Sequence, residues 1–272
     1  MALAVATIAF ATAAFAGATR ALFPEPPAFS ALRAGQSLAP WTSVAIAIGK
    51  RHTHYELVDD GGSTVLHATA DNAATALAYP IRVELRDAPV IAWRWKIAGL
   101  IADADSRQAS REDAPARILL EFDGDVRKLP LVERGIYGIA RRVAGRELPY
   151  ATLMYIWSNH ESVGTVMPNP RTRRIQMVVA ASGAEGVGAW QSLMRNVRDD
   201  FLRAFGEEPG PLTAVGVLTD TDNTDGHAEA WYGDIRFEPK AGRLTIAFNR
   251  FRWETGERAR VRSALVRRTW RS

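Results

Sequence analysis

The sequence predicts a mainly β fold: an antiparallel β-sandwich, of the jelly-roll, galactose-binding-like kind, with one packed amphipathic helix. Three observations carry this. About ten short stretches alternate apolar and polar side chains with a period of two. Turn formers separate them, as at Asp60-Gly61 and Asp123-Gly124. One stretch alone carries a clear 3.6-residue stripe, so there is no strand–helix–strand rhythm of the parallel α/β folds.

In chain order the strand patterns are Val44–Gly49, His54–Asp60, Ser63–Ala70, Ile81–Leu85, Val90–Ile97 and Ala116–Asp123. They continue with Ala151–Ser158, Arg173–Ala181, Thr213–Asp220 and Ala228–Phe237. The helical stripe is Gly186–Gly206, with Trp190, Leu193, Met194, Val197, Phe201, Leu202 and Phe205 on one side and Gly206 where a helix would stop. Arg195 and Asp199 are four apart on its polar side, a pairing worth about 0.3 kcal/mol. A second, glycine-interrupted helix pattern runs over Leu131–Gly145. The sandwich is expected over residues 29–237.

The two ends differ from this body. Ala2–Ala18 is an apolar, alanine-rich run ending in an A-x-A arrangement at Ala14–Ala16, so residues 1–18 are expected to be a signal peptide. No Lys or Arg precedes the run, and a retained anchor touching the membrane is the alternative. A periplasmic or secreted location is expected. Residues 238–272 form a basic extension, with ten basic residues from Lys240 onward against Glu254 and Glu257. The chain totals +4, so residues 1–239 carry a net −4. The basic pI belongs to the tail, and nothing in the body suggests a nucleic-acid module. There is no cysteine, which excludes disulfides, thiolate metal sites and cysteine nucleophiles. No phosphate loop, dinucleotide fingerprint, nucleophile elbow or zinc motif occurs, so no nucleotide cofactor is expected.

Four stretches bear on ligands. In Val90–Ile97, Trp93 and Trp95 share one strand face and Arg94 and Lys96 the other. The indoles either form a sugar platform or fill the core. Trp157 ends a strand that opens into Asn159, His160 and Glu161, a natural position for a site. His160 is the best candidate base, and a plain surface histidine is the alternative. Arg195 and Arg198 could hold a carboxylate or a sugar hydroxyl, and Asn196 beside Arg195 is a further ligand-binding candidate. The run Val217–Ile235 supplies Asp220, Asp222, Asn223 and Asp234 as candidate metal ligands, with Trp231 and Tyr232 on opposite strand faces. The helix–loop–helix calcium template fails there, since Asp225 stands at its glycine position and Trp231 at its glutamate position. A calcium site without a linear template and a network of Asx turns both remain open.

The segments LEFDGD, ATLMYIWSN, NPRTRRIQMVVAASG, WQSLMRNVRDDFLRAFGEEP and VGVLTDTDNTDGHAEAWYGDI, with VLHATADNAATAL and IAWRWKI before them, resemble the bacterial family named domain of unknown function 3047. The resemblance spans Phe29 to Phe237. It implies an exported protein with a β-sandwich similar to galactose-binding or carbohydrate-module folds, and it carries no catalytic residues. The arginine-rich tail departs from the family pattern. The functional expectation is recognition of a glycan or envelope polysaccharide through Trp93, Trp95, Trp157, Asn159, His160, Arg195, Asn196, Trp231 and Tyr232. A polysaccharide hydrolase or lyase and a structural envelope protein without a small ligand are the alternatives. A hydrolase would need two carboxylates facing each other across a cleft.

Overall fold

A computed structural model describes residues 24–46, 49–144 and 148–239. The expected signal peptide, and all but the first two residues of the basic extension, lie outside the described residues. The strands are β1 Thr42–Ala45, β2 His54–Asp60, β3 Ser63–Asp71, β4 Thr75–Val83, β5 Val90–Ile97 and β6 Ala114–Phe122. After helix α1 (Leu131–Ala144) come β7 Ala151–Ser158, β8 Val166–Asn169, β9 Thr172–Ser182 and β10 Gln191–Asn196. Helix α2 (Val197–Phe205) then leads to β11 Leu212–Asp220, β12 His227–Tyr232 and β13 Arg236–Glu238.

The strands form two sheets, so the architecture is mainly β and sandwich-like. One sheet has seven strands in the order β1-β4-β11-β6-β7-β9-β8. The other has the order β10-β5-β12-β3-β2, with β13 also pairing with β5. All pairings are antiparallel except β7 with β9. That exception corrects the purely antiparallel expectation. After β7 the chain passes outward to β8, a four-residue edge strand, and returns as β9 between the two, which leaves β9 parallel to β7.

The main core lies between the sheets. Leu57, Leu66, Trp93, Trp95, Ile97 and Tyr232 face Leu77, Ile118, Leu120, Leu153, Tyr155 and Trp157 there. Aromatic contacts join the layers: Trp93 stacks on Tyr155 at 5.0 Å, and Trp95 meets Trp157 at 6.1 Å. The alternating residues of the seven-stranded sheet, including Leu119, Met154, Ile156, Met177, Val179 and Leu218, form a second apolar cluster on its other face. That sheet is therefore apolar on both faces, which is why every residue of β7 is buried.

Several element boundaries differ from the sequence pattern. The strand expected at Ile81 begins earlier, at Thr75, and contains Pro80. Pairing with β1 stops at Ala78, and the register of β4 against β11 shifts beside Pro80, so the proline's missing N–H falls at an irregular point of the ladder. The helix expected over Gly186–Gly206 forms only from Val197. Its first part is instead β10, laid along β5 with Leu193 opposite Trp93. The edge of β5 offers unpaired backbone groups there, and filling them outweighs a helical stripe. Asn196 ends the strand and caps the helix, its side chain accepting from the Asp199 N–H. Gly206 ends α2 in the left-handed region at φ 73°, as expected. Val197 and Phe201 face inward, with Phe201 4.7 Å from Phe122. The second helix pattern forms as α1. No helix among the described residues is long and apolar enough to cross a membrane.

One close approach gives a direct test. A Cβ on Gly210 would lie 2.2 Å from the Asp123 carbonyl oxygen, a backbone atom that cannot swing aside. Gly210→Ala is expected to cost about 1–3 kcal/mol. Gly99→Ala, with nothing within 4 Å of its Cβ position, is expected to be nearly neutral. Urea unfolding of the two variants checks the difference.

Candidate functional site

The structure separates the residues that the sequence grouped together. Trp93, Trp95, Trp157 and Tyr232 are buried between the sheets and face no groove. The reason is cross-sheet fit: the indole face of β5 meets the aromatic face of β7, while Arg94 and Lys96 take the outer face. Trp157 donates its indole N–H to the Gly183 carbonyl, and the Tyr232 hydroxyl lies within hydrogen-bond distance of Thr219 and Leu218. Asn159 donates to the Ile101 carbonyl, and exposed His160 has its backbone held by Ser158. Glu161 forms a two-pronged pair with Arg107 and does not partner His160. Arg195 grips Asp200 rather than Asp199, and Asn196 is spent on the α2 cap. The structure does not bring these residues together in one cleft.

Trp231 is the one aromatic member of the group that is not buried between the sheets; it is half-buried. It sits on the outer face of the six-stranded sheet in a row that sequence reading missed. Cross-strand register aligns Glu56, His67, Trp231 and Lys96, and Trp190 flanks Lys96. His67 stacks on Trp231 at 4.8 Å, and the Lys96 ammonium lies 4.5 Å from the same ring centre. Trp190 donates to Asp60, which also accepts from Lys96, and Arg94 lies over the Trp190 ring. Those hydrogen bonds hold the Asp60 carboxyl below its ordinary range. The row is satisfied from within: its rings and charges are already engaged with one another.

The acidic residues also divide. Asp234 binds the backbone N–H and hydroxyl of Ser30, tying down the N-terminal turn, and does not join Asp220 and Asp222. Asp113 takes its place. One carboxylate oxygen each from Asp113, Asp220 and Asp222 lies within 4.8 Å of the others, a spacing that could hold a divalent cation such as calcium. The protein's own groups already engage all three. Arg117, fully buried, forks onto Asp220 at 2.9 and 3.1 Å and reaches Glu112 at 2.7 Å. Burial pushes the Asp220 carboxyl up to about 7, with Arg117 the main opposing influence. Burial would lower Arg117, but Asp220 and Glu112 hold it above its ordinary value. The Lys50 ammonium reaches Asp222 at 2.9 Å, beside the position a cation would take. Asp113 accepts from the Asn223 and Thr224 amides and the Thr224 hydroxyl, so a carboxylate from 110 residues away, and not an Asx turn of the loop's own side chains, holds this loop.

This acidic loop leads to a groove. The Asn223 side-chain oxygen accepts from Arg171, whose guanidinium also reaches the Ala109 carbonyl. Arg171 lines a groove of about 600 Å³ where β7, β8 and β9 meet α1. Leu148, Pro149, Pro168, Pro170 and Ile175 give it an apolar lining, and Tyr137, Thr152, Asn169, Arg173 and Arg174 add polar groups. Arg174 is committed: it donates to the Tyr150 carbonyl and lies over the Tyr150 ring at 4.1 Å. Among the described residues Glu133 is the one carboxylate in the lining, and they place no facing carboxylate pair there. A concave, mainly apolar lining with a few polar groups is the usual form of a binding site. Sequence reading passed over it. The one local signal was NPRTRR, three arginines within four residues behind a Pro-Asn-Pro turn.

Comparisons with solved structures return distant likenesses. A cleaved adhesin domain of Lys-gingipain aligns with a TM-score of 0.34 at 11% identity, covering 78% of this chain and 96% of that one. A family 30 carbohydrate-binding module from a cellulosomal cellulase of Clostridium thermocellum gives 0.30 at 12%, with coverages of 80% and 96%. Endoglucanase 3 of Trichoderma harzianum, from family GH12, gives 0.35 at 8%, with coverages of 75% and 100%. No curated protein matches the sequence. The model of one family does match, over residues 39–236, the span of nearly all the strands described above, and the chain belongs to that family, described as Protein of unknown function (DUF3047).

Proposed function

We propose that this protein binds a glycan, a segment of envelope or extracellular polysaccharide, in the groove between α1 and the β7–β9 end of the seven-stranded sheet. The observation that carries the reading is the lining of that groove. Proline and aliphatic surfaces lie beside a tyrosine, an amide and guanidinium groups, which suits the apolar faces and hydroxyl rims of sugar rings. A jelly-roll arrangement of the galactose-binding kind, and export to the periplasm or beyond, belong to the same proposal. The second rests on the apolar run Ala2–Ala18.

Binding of the full chain to an array of bacterial and plant polysaccharides tests the reading. At least one polysaccharide is expected to bind, and Ile175→Trp, which puts an indole into the groove, is expected to abolish that binding in a protein that still folds. A folded wild type that binds nothing on the array, or binding indifferent to Ile175→Trp, would sink it. EDTA is expected to leave binding unchanged, because Lys50 already supplies positive charge at the acidic cluster. Loss of binding in EDTA, restored by calcium, would instead assign a cation to Asp113, Asp220 and Asp222.

A further inference from the structure

We infer that the groove selects acidic glycans, holding the carboxylates of uronate residues with Arg173 and Arg171. The inference rests on the reading that the groove takes a glycan, and it concerns which class. Arg171, in the turn between β8 and β9, and Arg173, two residues on in β9, both line the groove. Neither has a carboxylate partner among the described residues. The Arg171 guanidinium meets only neutral acceptors, the Ala109 carbonyl and the Asn223 amide oxygen, and exposed Arg173 has no side-chain partner there.

Several other arginines of the molecule are already committed. Arg94 and Arg174 lie over aromatic rings, and Arg107, Arg117, Arg195 and Arg198 grip carboxylates. Residues 1–239 carry a net −4, whereas the described groove lining holds three guanidiniums, those of Arg171, Arg173 and Arg174, against the single carboxylate of Glu133. A planar guanidinium matches a carboxylate with two parallel hydrogen bonds, a geometry that a hydroxyl cannot reproduce.

Arg171 is also oriented in advance. Asp113 fixes the Asn223 and Thr224 amides, and Asn223 in turn accepts from Arg171. The acidic stretch that looks like a metal loop in the sequence thus positions a cationic side chain at the groove. Restricting that side chain before binding lowers the entropy cost of the bound state.

The test uses the full chain with polygalacturonate and with the same polymer after reduction of its carboxyl groups to neutral alcohols. The carboxylated polymer is expected to bind about tenfold more tightly, with an advantage that shrinks in high salt. Arg173→Gln is expected to erase the preference, and Arg173→Lys to restore part of it. Arg173 is exposed, and an unchanged melting temperature would show that its loss does not act through folding. Equal binding of the two polymers would overturn the charge selection and leave the groove reading standing. Binding of neither polymer, nor of any other glycan, would overturn both.

Discussion

Arg117→Ala is expected to destabilise the protein by about 3–5 kcal/mol, the cost of leaving buried charge without its partner. For a chain of this size that corresponds to a fall in melting temperature of roughly 6–20 °C. Arg117 is 1% exposed. It binds both oxygens of Asp220, one oxygen of Glu112 and the Glu112 carbonyl, and the Met154 and Met177 sulfurs pack against its guanidinium. Alanine would strand two carboxylates in a site lined with methionine. Lysine is expected to fare little better, because three donors on one nitrogen cannot span a forked set of acceptors on two residues. A compensated variant separates charge burial from lost packing. Arg117→Met combined with Glu112→Gln and Asp220→Asn removes all three charges and keeps most of the volume. It is expected to recover more than half of the loss, since a neutral, well-packed replacement of a buried ion network costs far less than a broken one. Urea unfolding of wild type, single and triple variants measures both steps. A cost below about 1 kcal/mol for Arg117→Ala would mean that water reaches the cluster and that the network does not hold β6 to β11.

Much of the fold was legible because strand alternation is local. His54–Asp60, Val90–Ile97 and Ala151–Ser158 appear with the same bounds as their sequence patterns. The failures have physical causes. Trp190, Leu193, Met194 and Val197 fit a helical stripe, but the edge of β5 recruits Gln191–Asn196 into the sheet, and no local pattern reveals a vacant edge. In Val90–Ile97 the alternation separated Trp93 and Trp95 from Arg94 and Lys96 without saying which face is inside; the aromatic face of β7 decides that. The site was less legible still. Asn223 meets Asp113 from 110 residues away, and Arg171 meets Ala109 from 62 residues away. Chain topology alone makes those pairs. The three arginines of NPRTRR were visible, but their different commitments were not. Arg174 is stacked on Tyr150, whereas Arg171 and Arg173 are left for the groove.

Asp200→Ala is expected to cost a similar 3–5 kcal/mol, and its companion variants should fall in a definite order. Asp200, 4% exposed, ties α2 to the sandwich. It accepts from the buried Tyr155 hydroxyl at 2.9 Å, from two nitrogens of Arg195 at 2.7 and 2.9 Å, and from Arg203 at 2.7 Å. Alanine leaves the Tyr155 hydroxyl buried without an acceptor, a loss of about 1–3 kcal/mol by itself, and releases a partly buried guanidinium. Tyr155→Phe removes the donor together with its need for an acceptor and is expected to cost about 1 kcal/mol. Arg195→Ala should cost more than Arg203→Ala, because the Arg195 side chain is 25% exposed and the Arg203 side chain 51%. The exposed pair is expected to contribute no more than about 1 kcal/mol. A double-mutant cycle on Asp200 and Tyr155 should show coupling of at least about 0.5 kcal/mol, since the groups touch. The same set separates the two roles that Arg195 could have. As a strut between β10 and α2, its loss lowers the melting temperature and leaves polysaccharide binding intact below the unfolding transition. As a ligand-binding residue, its loss would weaken binding at temperatures where the protein is fully folded. The strut outcome is expected, because one edge of its guanidinium already grips both oxygens of Asp200 and neither Asp200 nor Tyr155 lines the groove.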